Sequence, residues 1–95
     1  MVVSLIRVII ELPGSSSLKD KRQVVSSLKD KIRLRFRVAI AEVDLQESHT
    51  FAELGAAYVS NSRKLGEQVM NRILHFVENN IPGRVSDAQI LSEFY

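Results

Sequence analysis

The chain contains no cysteine, which excludes a disulfide framework, a thiolate nucleophile and a Cys-ligated zinc site together. That usage fits a reducing cytoplasm. Long apolar runs are also missing. No stretch approaches the ~20 residues that span a bilayer, so no membrane segment is expected. The N-terminus, Met1-Val2-Val3-Ser4-Leu5-Ile6-Arg7, lacks the basic start and unbroken apolar stretch of a signal peptide. Proline occurs only twice, at Pro13 and Pro82, and each is followed by glycine. These pairs mark two breaks in regular structure. There is no internal repeat and no low-complexity tract.

What remains is ordinary for a globular protein. The 95 residues are 45% hydrophobic and 25% charged, and a chain of this size fits one domain, residues 1–95, with one two-layer core. The net charge is only +2, but it is unevenly spread. Residues 19–37 carry eight basic and two acidic residues, a local +6, whereas residues 38–95 carry four basic and eight acidic, a local −4. Such asymmetry points to a partner.

Residues 2–12 are rich in β-branched side chains and read as a strand. Ile6, Val8, Ile10 and Leu12 give it one wholly apolar face, and Val3, Leu5, Arg7, Ile9 and Glu11 give it a mixed one. Pro13-Gly14 ends it. Ser17, with Asp20 three residues on, resembles a capping box that opens a helix over about 18–35. Leu18, Val24, Val25, Leu28, Ile32 and Phe36 fall within about 120° of that helix and form its core stripe. Residues 38–46 and 51–60 read as a hairpin of two strands joined by Glu47-Ser48-His49-Thr50. A second helix is expected over 63–79, burying Leu65, Val69, Met70, Ile73, Phe76 and Val77, and a last strand over 84–94. The order βαββαβ is the ferredoxin-like plan: an α+β two-layer sandwich with a four-stranded antiparallel sheet and two helices on one face. Right-handed crossovers put the first and third strands in the middle.

The segments Leu12-Pro13-Gly14, Ser17-Leu18-Lys19-Asp20-Lys21-Arg22-Gln23-Val24-Val25 with Leu28, Arg35-Phe36-Arg37-Val38, Ala41-Glu42-Val43 and Glu53-Leu54-Gly55 together resemble the signature of the YlxP-like bacterial family, domain-of-unknown-function family 503. The resemblance runs over essentially the whole chain. It implies the ferredoxin-like fold and no particular reaction. It also implies an RNA- or ribosome-related role by association with translation and ribosome-maturation genes. The chain departs from the family pattern in the hairpin connection, where Ser48-His49-Thr50-Phe51 stands in place of an aromatic and an arginine.

Candidate sites follow from the residues themselves. Lys19, Arg22, Lys29 and Arg33 lie within about 80° of the first helix, in a row about 21 Å long at 1.5 Å per residue. With Lys21 they form a basic face that suits phosphates held in register; the competing reading is a solvated face whose stems cover the core edge. The turn Ser15-Ser16-Ser17 precedes a helix N-terminus, where amides and hydroxyls could hold an anion. Capping is the simpler role for those serines. Glu42, Asp44, Glu47, His49 and Glu53 cluster near the hairpin but match no metal-ligand or acid–base spacing. His75 has no second ligand at metal spacing. No cofactor motif, metal set or catalytic constellation stands out.

An RNA-recognition-motif mode, with bases stacked on strand aromatics, does not fit, because Phe51 and Tyr58 fall on opposite faces of their strand. The mixed sheet face, with Val3, Leu5 and Ile9 of the first strand and Gly55, Ala57 and Val59 of the third, is left open by the fold unless Phe94 and Tyr95 cover it. That face, or an edge strand, is the expected seat of a homodimer. The sequence thus favours a cytoplasmic, non-enzymatic module that contacts RNA or a ribosomal component through its first helix. The alternatives are an anion-binding regulatory domain at Ser15–Lys19 and a protein-interaction module.

Overall fold

Alternation along the first strand sets the layering. In the computed structural model, which describes residues 1–95, strand β1 (Val2–Glu11) buries Val2, Ser4, Ile6, Val8 and Ile10 on one side. Leu12 continues that buried face as expected. The following elements are α1 (Leu18–Phe36), β2 (Ala39–Asp44), β3 (Phe51–Ser60), α2 (Arg63–Asn80) and β4 (Arg84–Phe94). The sheet has the order β2-β3-β1-β4 with every neighbouring pair antiparallel. This is the ferredoxin-like arrangement, with β1 and β3 central.

Both helices cover the same sheet face. Val25, Leu28 and Ile32 of α1 and Val69, Met70, Ile73 and Val77 of α2 meet Ile6, Val8, Ile10, Ala52, Leu54 and Ala56 in one core. Each helix opens on a serine. The Ser17 hydroxyl accepts the Asp20 N–H at 3.1 Å, and the Ser62 hydroxyl accepts the Leu65 N–H at 3.1 Å. At the end of α1, Arg37 takes a left-handed conformation (φ 54°) and its N–H donates to the Arg33 carbonyl.

Three local expectations change. Strand β2 is shorter than residues 38–46, because Leu45 adopts a left-handed φ of 63° that ends the extended run. Leu65 is 40% exposed, and Gly66 beside it is buried instead. The reason is a close approach: α2 lies directly on Ser4 of β1, and a Cβ on Gly66 would collide with the Ser4 hydroxyl. That hydroxyl bonds Ser92 Oγ at 2.7 Å beneath the helix. Finally, the terminal aromatics do not cover the outer face of the sheet. Phe94 is in register with Val2 on the helix side, where the Arg63 guanidinium stacks 4.7 Å from its ring. Tyr95 stays exposed.

The sheet face away from the helices is therefore open. Leu5, Val43, Val59 and Leu91 are exposed on it. Gly55 leaves a shallow hollow there of about 420 Å³ beside Ala39, Ala41 and Val43. The charges at its centre are matched, since Arg7 pairs with Glu53 at 3.1 Å and Asp87 at 3.4 Å.

Candidate nucleic-acid interface

The basic residues of α1 do not act as one row. Lys21, expected among the RNA contacts, is fully buried. It follows the core stripe at helical spacing, four, seven and eleven residues before Val25, Leu28 and Ile32. Its ammonium donates to the carbonyls of Leu45 (2.8 Å), Phe51 (3.1 Å) and Gln46 (3.3 Å), and so pins α1 to the β2–β3 connection. An ammonium has three N–H donors, and the three carbonyls take them all. The Glu42 Oε2 atom, 3.2 Å from the same nitrogen, is held by charge attraction without a hydrogen bond of its own. Lys21 is a structural cation and is withdrawn from any ligand.

Arg33 is partly committed. It pairs with Asp30 at 3.1 Å and donates to the Ile40 carbonyl at 3.3 Å. Lys19, Arg22 and Lys29 remain, none with a carboxylate in ion-pair contact. Lys19 and Arg22 line a shallow hollow on the outer side of α1 together with Ser26, Lys31 and the acidic Asp30.

The Ser15–Ser17 turn already holds a carboxylate. The Ser16 N–H and hydroxyl both donate to Asp20 Oδ2, at 3.3 and 2.8 Å, while the Ser17 hydroxyl accepts the Asp20 N–H. The Ser15 hydroxyl donates to the Ser17 carbonyl at 3.4 Å. These bonds, the Ser16 hydroxyl foremost, hold the Asp20 carboxyl below its ordinary pKa. An incoming anion would meet a carboxylate where the free amides were expected.

The hairpin carboxylates separate. Glu42 faces Lys21, Glu53 faces Arg7, and no three His, Asp or Glu side chains gather closely enough to hold a metal ion. Phe51 and Tyr58 lie on opposite faces, in register with Glu11 and Ser4 respectively.

The layers differ in charge. The two helices with the α1 C-cap carry eleven basic and four acidic residues, +7 in all, and the rest of the chain carries two basic and seven acidic, −5. Ion pairs sharpen the division. Nine of the thirteen basic residues make no ion pair, and all nine sit on the helix layer: five on α1, Arg37 at its cap, and Arg63, Lys64 and Arg72 on α2.

A feature not anticipated from the sequence lies between the helices. Arg35 of α1 stacks over the rings of Phe36 (5.9 Å) and Phe76 (5.4 Å), which meet edge to face at 5.7 Å. They form part of a cleft of about 850 Å³ that Arg72, His75 and three asparagines of α2 complete. The only sequence signal was the fourfold spacing of Gln23, Ser27, Lys31 and Arg35, which sets one polar edge of α1 toward α2.

Comparison with known proteins agrees with this architecture. A family model described as "Protein of unknown function (DUF503)" matches residues 3–90. The chain is 32% identical over 65 residues to "Uncharacterized protein YlxP" of Bacillus subtilis (strain 168), covering 68% of this chain and 71% of that protein. Among solved structures it resembles a de novo designed protein with a ferredoxin fold, LFR1 1. The TM-score is 0.55 at 13% identity, over 98% of this chain and 83% of the design. No helix is long and apolar enough to cross a membrane.

Proposed function

The chain belongs to the DUF503 family, whose description names no activity, and we propose that it is a non-enzymatic module that binds RNA, free or within a ribosomal particle, through its helix layer. The observation that carries this reading is the placement of every unpaired basic side chain on the two helices and the α1 cap. Cations neutralised by carboxylates gain little from a phosphate; unpaired ones exchange counterions for it. Lys19, Arg22, Lys29, Lys31 and Arg35 span α1 and provide the phosphate contacts.

The test is fluorescence anisotropy with ribosomal RNA fragments at two salt concentrations, with the Arg22→Glu/Lys29→Glu variant beside wild type. With about five phosphate contacts, a fourfold rise in salt weakens binding by roughly 10²-fold. The variant binds weakly at both concentrations and has a shallower salt slope. Binding indifferent to salt, or unchanged in the variant, overturns the proposal.

The open sheet face favours a second role, self-association. Its apolar side chains are interspersed with charges that are already paired, so covering it strands no lone ion at its centre. Three strands of ten or eleven residues and the six-residue β2 offer roughly 600 Å² of projected area. Stable interfaces bury about 800 Å² per partner. A second copy packed face to face is the occupant of matching size, in a concentration-dependent dimer.

A further inference from the structure

The cleft between α1 and α2 differs from the hollow beside Lys19 and Arg22 in having no carboxylate on its walls. Helix geometry explains this. At 100° per residue, Glu67 and Glu78 of α2 point about 160–180° away from Phe76, and Asp30 of α1 points about 140° away from Arg35. The cleft therefore keeps the full charge of Arg35 and Arg72, neither of which makes an ion pair.

Arg35 is positioned without being neutralised. The two phenylalanine rings hold its guanidinium by cation–π contact, which leaves its charge and its in-plane N–H donors available. Such a fork fits a phosphate, and the outer face of a guanidinium also accepts a stacked base. The asparagines are positioned too. Asn71, Asn79 and Asn80 each donate from Nδ2 to the carbonyl four residues earlier, at 2.9, 2.8 and 2.8 Å. Each thereby keeps one carbonyl oxygen and one N–H for a ligand, the donor–acceptor pair that matches a base edge. A bare phosphate would need only the arginines. Fixed carboxamides beside an arginine backed by aromatic rings suit a larger partner with a flat, hydrogen-bonding ring. The volume of about 850 Å³ lies within the usual range for small-molecule sites.

We infer that this cleft is a nucleotide site, with phosphate held by Arg35 and Arg72 and the base read by Asn79 and Asn80, which flank Phe76 on α2. The inference rests on the RNA-binding reading and gives it a base-contacting centre; the nucleotide comes from a single-stranded segment or as a free mononucleotide.

Isotope-labelled full-length protein is titrated by NMR with inorganic phosphate, with the four nucleoside 5′-monophosphates and with eight-residue RNA homopolymers. The Asn79 and Asn80 side-chain amides are the reporters. The expected result is a shift of both amides with one base preferred, affinity lowered roughly tenfold or more in Arg72→Ala, and base preference lost in Asn79→Ala/Asn80→Ala. Shifts with mononucleotides identify a free nucleotide as sufficient; shifts only with oligomers identify the strand. Equal response to inorganic phosphate overturns the base-reading part. RNA binding that moves only the Lys19–Lys29 side of α1 overturns the cleft while leaving RNA binding intact. No response to any RNA or nucleotide removes both.

Discussion

Replacing Lys21 by methionine separates a structural cation from a binding one. Methionine keeps much of the side-chain volume and removes the ammonium. Three carbonyls, of Leu45, Gln46 and Phe51, lose their donor at once, and Glu42, whose side chain is only 16% exposed, is left without its countercharge. Removing one partner from a buried ion pair costs about 3–5 kcal/mol, and unsatisfied buried carbonyls reach the same range at about 1–3 kcal/mol each before water relieves them. A loss of about 3 kcal/mol is a large share of the roughly 5–15 kcal/mol that holds a domain together. At about 4–8 °C per kcal/mol for a domain of this size, the melting temperature falls by at least ~12 °C. Leu45 is affected most directly, because its left-handed backbone persists only where surrounding contacts over-determine it. The assay is thermal and urea unfolding by circular dichroism, with Lys19→Met as the exposed control expected to stay within about 0.5 kcal/mol of wild type. Adding Glu42→Gln to Lys21→Met restores part of the loss, since no carboxylate is then stranded. A Tm drop below about 4 °C for Lys21→Met would refute the reasoning.

Three further outcomes are expected. Gly66→Ala lowers stability by about 1–3 kcal/mol in urea unfolding, because the new methyl group is forced into Ser4; an unchanged midpoint contradicts the close approach. The Asp20 carboxyl titrates below the ordinary 3.8 when followed by NMR, and Ser16→Ala moves it back up. Its contribution to stability is present above 3.8 and disappears as pH falls through the lower folded value. In sedimentation equilibrium the protein shifts from monomer toward dimer as concentration rises, and Leu5→Asp holds it monomeric; a wild-type monomer at every concentration removes the sheet-face interface.

The fold was legible because its periods are clean. Alternation at Ile6, Val8, Ile10 and Leu12 and the 3.6-residue stripe of Val69, Met70, Ile73 and Val77 both survive in the core, and the strands expected over 51–60 and 84–94 have those bounds. At Lys21, residue type and position point in opposite directions. Lysine is a surface residue by habit, yet its spacing from Val25, Leu28 and Ile32 placed it on the buried stripe. The burial of Gly66 is not legible in the sequence, since close backbone contact leaves no trace in hydropathy. The interhelical cleft is hidden for another reason: Arg35 and Phe76 are 41 residues apart in the sequence, and only packing of the helices on one sheet brings them together. Ser17 is the N-cap that its spacing from Asp20 suggests, but the Asp20 carboxylate turns back to Ser16 rather than to the Ser17 N–H, and its occupation of the serine turn is not legible in the spacing.

The division of charge between the layers has a geometric consequence for any assembly. Two copies joined sheet to sheet would place their helix layers back to back, about 30 Å apart at about 10 Å per packed layer. Their positive surfaces would then look in opposite directions. Such a pair would not grip one RNA segment from two sides. It would hold two segments apart, one per chain, with avidity gained only by an RNA long enough to fold around the pair. Pairing would thus turn a one-sided binder into a spacer between RNA segments, and the footprint on each segment would stay that of a single chain.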